Sequence, residues 1–348
     1  MARLLGCVMR AQSLRGRTSL AVSLSVQLGP INLAHPIINA SGTMDIFALA
    51  ESLGPHVLER PPVAAYVPKT ITLKPRAGNL PPRIVEVTGG LINSVGLPNE
   101  GLEVFLERDL PRLLRLPCPV ILSIGGTSRG EYRSLARGLR EALEAVPACP
   151  ARTDPGDQGT AWTSRVGLEL NISCPNVESG GMAIGSDPRE TQAVVAEVRE
   201  EWPGLLLAKL TPNVTDITLP ARAAVAAGAD ALVAVNTYKA LALDRHTLRP
   251  YLGNVAGGLS GPAIKPLALR SIYELYEAVD VPIVGMGGVA SLEDVLEFIS
   301  CGATVVAVGT AVFREPLLAR CFAACLAEAL EERGLTLSGL LGLAHVKE

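Results

Sequence analysis

The chain has 348 residues, of which 48% are hydrophobic and 19% are charged. This composition supplies enough apolar material for a sizeable core and excludes an intrinsically disordered chain. The net charge is −3 and no long basic run occurs, which argues against a nucleic-acid partner. No apolar run reaches the roughly 20 residues of a membrane-spanning helix. We therefore expect a soluble, cytoplasmic protein without a membrane partner.

Short β-rich runs alternate with helical stretches along most of the chain. The predicted strands are residues 36–40, 64–71, 120–124, 167–172, 205–210, 231–236, 282–285 and 305–308. The predicted helices are residues 101–114, 132–145, 188–201, 218–227, 266–279, 291–300 and 317–333. Eight such repeats without a linker predict a single-domain α/β protein with a (β/α)8 TIM barrel.

The barrel is expected to cover residues 20–335. Residues 1–19 are predicted to be a disordered N-terminal extension, although four arginines without an acidic residue also allow a transit peptide. Residues 336–348 are predicted to form a C-terminal tail. The stretch 147–164, rich in Pro, Gly, Asp and Thr, is expected to be a surface insertion before the fourth strand.

The cysteines and histidines do not predict a disulfide framework or a metal site. The seven cysteines are odd in number and follow no secretory signal. Cys321 and Cys325 lie four residues apart in a helical stretch and are expected to pack as small apolar side chains. The four histidines lack the spacing of metal ligands, so we predict no metal.

Polar residues follow several strands, at the end of the barrel where active sites form. They are Lys69 and Thr70 after strand 2, Asn171, Cys174 and Asn176 after strand 4, Lys209 in strand 5, and Asn236 and Thr237 after strand 6. Each could have a structural role, such as a salt bridge for Lys69 or a cap for Asn176. Together they predict a ligand with many hydrogen-bonding atoms.

Glycines follow the last strands. Strand 7 leads into Gly287 and Gly288, strand 8 leads into Gly309 and Thr310, and a third glycine-rich segment ends at Gly261. Glycine lets backbone N–H groups approach a phosphate closely. Paired glycine turns after strands 7 and 8 therefore predict a ligand that is anchored by a phosphate.

Cys174 differs from a typical core cysteine because it follows a strand and lies between Asn171 and Asn176. A thiol has an ordinary pKa of about 8.5, so neighbouring cations or N–H donors can make it a base or a nucleophile. No histidine lies near it in the sequence. Proton abstraction beside a cofactor therefore fits better than acyl transfer.

Several long motifs occur in the order found in one enzyme family. They are residues 69–79, 81–83, 93–97, 170–176 and 257–264. Together they resemble class 1 dihydroorotate dehydrogenases over nearly the whole chain, from about residue 20 to residue 328. The segments around Lys69 and over residues 176–181 look closest to the class 1B branch.

The resemblance implies FMN as cofactor and oxidation of dihydroorotate to orotate in pyrimidine biosynthesis. Cys174 would remove the C5 proton while hydride passes from C6 to flavin N5. The implied cofactor-binding residues are Ala40, Ser41, Gly42, Lys69, Thr70, Ser123, Asn171, Lys209, Val235, Gly261, Gly287, Gly288, Gly309 and Thr310. The implied substrate-binding residues are Lys69, Asn93, Ser94, Val95, Gly96, Leu97, Asn171, Asn176, Asn236 and Thr237.

The class 1B resemblance also implies a homodimer core within a heterotetramer. In that branch a partner subunit holds FAD and a [2Fe–2S] cluster and passes electrons to NAD⁺. Three alternatives stay open: a class 1A-like enzyme that uses fumarate, a flavin barrel acting on another dihydropyrimidine or on dihydrouridine, and a non-catalytic barrel scaffold.

Two positions depart from the family pattern. Residues 44–46 replace the usual aromatic–glycine pair after Ser-Gly-Thr, and Tyr66 replaces a small aliphatic residue.

Overall fold

The computed structural model describes residues 22–146, 162–173 and 184–347. Within these residues the strands are β1 (Val26–Leu28), β2 (Ile31–Leu33), β3 (Ile37–Asn39), β4 (Ile84–Val87), β5 (Gly90–Asn93), β6 (Val120–Ile124), β7 (Val166–Leu170), β8 (Leu206–Lys209), β9 (Ala231–Ala234), β10 (Tyr238–Ala240), β11 (Gly257–Ser260), β12 (Ile283–Met286) and β13 (Val305–Val308). Seven of them form a parallel sheet in the order β3-β13-β12-β9-β8-β7-β6. The predicted N-terminal extension and most of the predicted insertion 147–164 lie outside the described residues.

The predicted second strand, residues 64–71, closes this sheet into a barrel but is not a regular strand. It forms only two isolated parallel bridges to β6, from Tyr66 to Val120 and from Ile71 to Ile124. Pro68 interrupts it, because proline has no backbone N–H to donate. On the β3 side the Asn39 amide bonds both the N–H and the C=O of Val67, at 2.9 and 2.7 Å, in place of a backbone partner.

Helices surround the barrel. They are α1 (Ile46–Leu53), α2 (His56–Glu59), α3 (Gly101–Val104), α4 (Leu110–Leu113), α5 (Arg129–Ala145), α6 (Pro188–Glu201), α7 (Thr218–Ala226), α8 (Lys265–Ala278), α9 (Leu292–Ser300), α10 (Leu318–Glu331) and α11 (Leu337–Leu340). The predicted helix 101–114 is divided by a π-helical segment, Phe105–Asp109. A helix thus follows every barrel position, which confirms the predicted (β/α)8 architecture.

The core has two layers. One apolar cluster lies between the strands and the helices and includes Trp202 and Phe298. The other fills the barrel interior with side chains such as Ile121 and Val233, and the β1–β2 hairpin contributes Leu28 and its neighbours to it. The sheet is apolar on both faces because helices cover its outside and its own side chains fill its inside.

A four-stranded antiparallel sheet, in the order β10-β11-β5-β4, was not predicted from the sequence. It is assembled from two insertions, one after the second barrel position and one after β9. Short strands with exposed or half-buried residues give little periodic signal, so each insertion resembles a loop in the sequence. This sheet carries Asn93 and the glycines of β11 beside the carboxyl ends of the barrel strands.

Residues beyond the predicted barrel boundary pack against its outer side. Leu337 and Leu340 belong to the outer core cluster, and the Gly342 N–H donates to the carbonyl of Ile299 at 3.1 Å. The His345 ring stacks on Tyr273, with ring centroids 3.8 Å apart.

The two departures from the family pattern are in contact with each other. Tyr66 is almost fully buried, and its hydroxyl donates to the Met44 carbonyl at 2.9 Å. The backbone N–H of Ile46 approaches the same hydroxyl oxygen at 3.4 Å. Burial raises the pKa of the Tyr66 hydroxyl, so it remains protonated and able to donate. Tyr66 therefore holds the unusual 44–46 turn in place.

Helices long and apolar enough to cross a bilayer do not occur among the described residues.

Candidate active site

A cavity of about 1450 Å³ opens at the carboxyl ends of the barrel strands, beneath the antiparallel sheet. Polar strand ends and glycine turns meet there, as the sequence predicted. The predicted site residues that line it are Ala40, Ser41, Gly42, Lys69, Thr70, Asn93, Ser94, Val95, Gly96, Leu97, Asn171, Lys209, Val235, Asn236, Thr237, Gly261, Gly287, Gly288, Gly309 and Thr310. The tertiary structure thus brings residues from seven barrel positions to one cavity.

Three predicted site residues are not among the described lining residues. Cys174 and Asn176 lie outside the described part of the chain. Ser123 was predicted to bind the cofactor, and in this structure it is fully buried in β6 and does not line the cavity. Its hydroxyl bonds Thr70 and Glu169, both at 2.9 Å. Ser123 therefore supports the cavity wall from beneath.

A buried ion pair lies under the floor of the cavity. The Lys209 Nζ is 3.7 Å from Glu169 Oε1, and both side chains are about 95% buried. Lys209 also donates to the Ser41 hydroxyl at 2.8 Å. Because a charge removed from water is costly without a partner, Glu169 stabilises the position of Lys209 at the cavity.

Glu169 was not predicted from the sequence because it lies inside an apolar strand. An acidic residue in such a strand, with a lysine in the next strand, could have indicated a buried ion pair. Ser123 and Glu169 are register partners in β6 and β7, and Lys209 follows in β8. The three side chains therefore project from adjacent strands to the same face of the sheet.

Amide and hydroxyl groups form the next part of the wall. The Asn236 Nδ2 donates to the Ser173 hydroxyl, which donates to Asn171 Oδ1 at 2.9 Å. The Asn171 Nδ2 is 3.3 Å from Thr70 Oγ1. These side chains come from three different barrel positions, so their hydrogen bonds hold the strand ends together.

The loop after β5 is fixed by two asparagines that flank it in space. The Asn79 Nδ2 donates to the Ser94 hydroxyl at 2.8 Å, and the Asn99 Nδ2 donates to the Leu97 carbonyl at 2.9 Å. Gly96 has a φ of 78°, and a Cβ there would lie 2.6 Å from the Asn79 nitrogen. A side chain at this position would push the loop away from the cavity.

The opposite side of the cavity is built from glycine backbone. Gly287 and Gly288 have φ values of 126° and 84°, which L side chains rarely adopt. A Cβ on Gly288 would lie 2.9 Å from both the Gly261 oxygen and the Lys265 nitrogen. Thr310 donates to the Ser260 hydroxyl at 2.8 Å beside them. This backbone-lined cradle has the character of a phosphate site.

Two lysines bring positive charge to the cavity. Lys209 enters from β8, and the Lys69 Nζ lies beside Gly42, where an added Cβ would be 3.1 Å away. Both lysines lie at positions that the sequence predicted to be strand ends. Two ammonium groups in one cleft favour an anionic ligand or an anionic form of a bound cofactor.

Further polar residues of the wall were not predicted as site residues. They include Arg76, Asn79, Ser173, Thr211, Asn213, Lys239 and Asn254. The Asn213 amide bonds the Thr237 carbonyl and the Lys239 N–H, at 3.0 and 2.8 Å, and so ties β10 to the end of β8. Arg76, Ser173, Thr211 and Asn213 were visible in the sequence at the polar ends of strands 2, 4 and 5, whereas Lys239 and Asn254 lie in segments that resemble loops.

Comparison with known proteins gives one consistent result. A model of the dihydroorotate dehydrogenase family matches residues 23–148 and 164–330. A relative from Desulforudis audaxviator is 46% identical over 325 residues, which cover 93% of this chain and 98% of the relative. A relative from Trichlorobacter lovleyi is 43% identical, with 92% and 98% covered, and one from Carboxydothermus hydrogenoformans is 41% identical, with 93% and 98% covered. All three are named dihydroorotate dehydrogenase B (NAD(+)), catalytic subunit.

Proposed function

This chain belongs to the dihydroorotate dehydrogenase family, and we propose that it oxidises dihydroorotate to orotate as the catalytic subunit of an NAD-linked enzyme. The observation that carries this proposal is the meeting of a glycine cradle with an amide-rich wall in one cavity. The cradle suits a phosphate, and the amides suit a ring with carbonyl and carboxylate oxygens.

We propose FMN as the cofactor. The fit rests on Gly288, because a Cβ there would lie 2.9 Å from backbone atoms of Gly261 and Lys265, so that only glycine lets these backbone segments pack together at the cavity. Gly288, Gly309 and Thr310 would hold the FMN phosphate. Lys209, kept in place by Glu169, would hold the polar end of the flavin ring. When bound, FMN would supply the acceptor for the hydride that leaves C6 of the substrate.

The substrate would lie against the amide-rich wall. Lys69 would pair with its carboxylate, and Asn93, Asn171 and Asn236 would bind its ring amide groups. Thr237 and the backbone of residues 94–97 would complete the site. Each contact replaces a hydrogen bond to water with one to a group that the fold already holds in position.

Cys174 is proposed as the base that removes the C5 proton. It directly follows Ser173, and both Ser173 and Asn171 line the cavity. The chain therefore reaches Cys174 from the cavity wall. A thiolate at this point would take the proton from one face of the ring.

The electron acceptor is proposed from the names of the relatives, which are catalytic subunits of NAD(+)-linked enzymes. We propose that a homodimer of this chain forms the core of a heterotetramer with a subunit that carries FAD and a [2Fe–2S] cluster. Co-purification of such a subunit with the tagged chain would test this. Orotate formation by the isolated chain with fumarate would favour the class 1A-like alternative.

The central test is anaerobic mixing of the purified, flavin-containing protein with dihydroorotate. We expect the flavin absorbance band to bleach and orotate to appear in equal amount. A flavin that stays oxidised would refute the substrate assignment and direct attention to other dihydropyrimidines. A colourless protein that cannot be reconstituted with FMN would support the scaffold alternative.

A further inference from the structure

A continuous row of hydrogen bonds leads from the cavity wall into the barrel. It begins at Asn236, whose Oδ1 accepts the backbone N–H of Thr237 at 2.9 Å. The Asn236 Nδ2 donates to the Ser173 hydroxyl, and Ser173 donates to Asn171 Oδ1 at 2.9 Å. The Asn171 Nδ2 then donates to Thr70 Oγ1 at 3.3 Å.

The row continues below the cavity to a buried carboxylate. The hydroxyls of Thr70 and Ser123 are 2.9 Å apart, and Ser123 donates to Glu169 Oε1 at 2.9 Å. The same oxygen lies 3.7 Å from the Lys209 ammonium. We call the six residues Asn236, Ser173, Asn171, Thr70, Ser123 and Glu169 the Glu169 relay.

The two ends of the relay impose the same direction on every hydrogen bond within it. At one end a backbone N–H can only donate, so the Asn236 amide must turn its oxygen toward Thr237 and its nitrogen toward Ser173. At the other end a carboxylate can only accept, so Ser123 must give its single hydrogen to Glu169. Thr70 must then donate to Ser123 and accept from Asn171.

This direction decides what the wall offers to a ligand. Each primary amide has two N–H donors, and the relay uses one from Asn171 and one from Asn236. Each amide oxygen already accepts one hydrogen bond, from Ser173 and from the Thr237 N–H. Both asparagines line the cavity, and the second N–H of each amide is not used within the relay. We therefore expect the wall to present donors to acceptor atoms such as carbonyl and carboxylate oxygens.

The Thr237 N–H fixes the orientation of the Asn236 amide. We propose that Glu169 and Ser123 are positioning residues that fix, from the buried end, the donor polarity of Asn171 toward the ligand. Neither residue lines the cavity, so both act through the side chains between them and the ligand. An acceptor-only group is required at the buried end, because any donor there would meet the Lys209 ammonium and the Ser123 hydrogen. The identity of the ligand, orotate or dihydroorotate, rests on the proposed function.

The first test is Ser123→Ala in the purified holoenzyme, with orotate affinity measured by calorimetric titration. The substitution removes the link between Thr70 and Glu169 without changing an atom of the cavity wall. We expect the orotate dissociation constant to rise about 5- to 30-fold, because the Thr70 hydroxyl loses its acceptor and the Asn171 amide loses its fixed direction. Flavin content and melting temperature report whether the variant is folded.

A double-mutant cycle separates this role from a general structural one. If Ser123 acts through Asn171, the Ser123→Ala change should cost less than about twofold in orotate affinity once Asn171→Ala is present. The matched control is Asn93→Ala, which removes an amide of the cavity that bonds Gly258 and lies outside the relay. The effects of Ser123→Ala and Asn93→Ala on the orotate dissociation constant should multiply, as expected for independent sites.

Two results would overturn the proposal: an unchanged orotate affinity in Ser123→Ala, or full multiplication of the two effects with Asn171→Ala as well as with Asn93→Ala. If Ser123→Ala does not fold, Thr70→Val breaks the relay at the next member and Thr70→Ser restores the hydroxyl. Equal orotate affinity in those two variants would contradict the relay in the same way. A wild-type protein that binds no orotate would instead refute the proposed function.

Discussion

One side of the cavity is built mainly from polar side chains and the other mainly from glycine backbone. The side that follows β6, β7, β8 and β9 presents side chains whose hydrogen bonds cross from strand to strand. The side that follows β12 and β13 presents backbone, because Gly287 and Gly288 leave no room for a Cβ. The first side depends on side-chain hydrogen bonds, which a substitution can remove. The second side depends on the absence of side chains, so a substitution harms it by adding a Cβ. Substitutions should therefore damage them in different ways.

The largest effect is expected on the side-chain half, from Cys174→Ala. Loss of the proposed base should slow flavin reduction by dihydroorotate about 10²- to 10⁴-fold, the usual contribution of a general base. FMN content should be unchanged, since the glycine half is untouched. Anaerobic stopped-flow absorbance gives the rate, and retention of the wild-type rate would remove Cys174 from the proposed mechanism.

On the glycine half, Gly288→Ala should act through FMN rather than through the substrate. A Cβ at a φ of 84° and 2.9 Å from two backbone atoms must displace the cradle. We expect FMN affinity of the apoprotein to fall about 10-fold or more, measured by fluorescence titration. Gly130→Ala is the matched control, because a Cβ on that exposed helical glycine meets nothing within 4 Å. Equal FMN affinity in both variants would contradict a phosphate site at Gly288.

A smaller effect on the same half is expected from Thr310→Val. This change keeps the shape of the side chain and removes the hydroxyl that donates to Ser260 at 2.8 Å. We expect FMN affinity to fall about 3- to 10-fold, the cost of one hydrogen bond. Thr310→Ser should restore it, and orotate affinity of the FMN-saturated protein should not change. A loss of orotate affinity without a loss of FMN affinity would contradict the assignment of Thr310 to the phosphate side of the cavity.

The smallest effect on the two sides of the cavity is expected from Glu201→Gln. Glu201 lies outside the cavity, at the end of helix α6. Hydrogen bonds from Arg137 and Arg133 of α5 lower the pKa of Glu201 to about 2 from its ordinary value of 4.5. The carboxylate therefore stabilises the fold fully above pH 4.5, and this contribution is lost as the pH falls from about 4.5 toward about 2.

The melting temperature of Glu201→Gln should accordingly be a few degrees below that of the wild type at neutral pH. The difference should shrink on acidification through the same range, and FMN and orotate affinities at neutral pH should be unchanged. A difference that does not vary between pH 6 and about pH 3 would contradict the assigned role of this ion pair.

The barrel was predictable because its signal is repeated. The predicted strands 120–124 and 305–308 and the predicted helix 188–201 have the same bounds in the structure. Apolar runs bounded by glycine turns and followed by helices carry this information locally. The antiparallel sheet over the cavity was missed, because its strands are three or four residues long and its central pairing, of β5 with β11, joins residues 165 positions apart.

The irregular second barrel strand shows the same limit on a smaller scale. Residues 64–71 have the composition of a strand, but Pro68 breaks the ladder and the Asn39 side chain replaces its hydrogen bonds. Tyr66 and Met44 were visible only as two separate departures from a family pattern. The hydrogen bond from the Tyr66 hydroxyl to the Met44 carbonyl links the two departures into one structural feature.

The sequence by itself determined the fold class, the family and the residues at the strand ends, because these depend on local periodicity and on motifs of adjacent residues. Only the tertiary structure decided that Ser123 lies beneath the cavity wall, that Glu169 pairs with Lys209, and that one direction runs through the hydrogen bonds between Glu169 and Asn236. The hydrogen bonds of this relay join residues up to 101 positions apart, from Thr70 to Asn171. Their energies depend on burial and on the exact count of donors and acceptors, which no local pattern records.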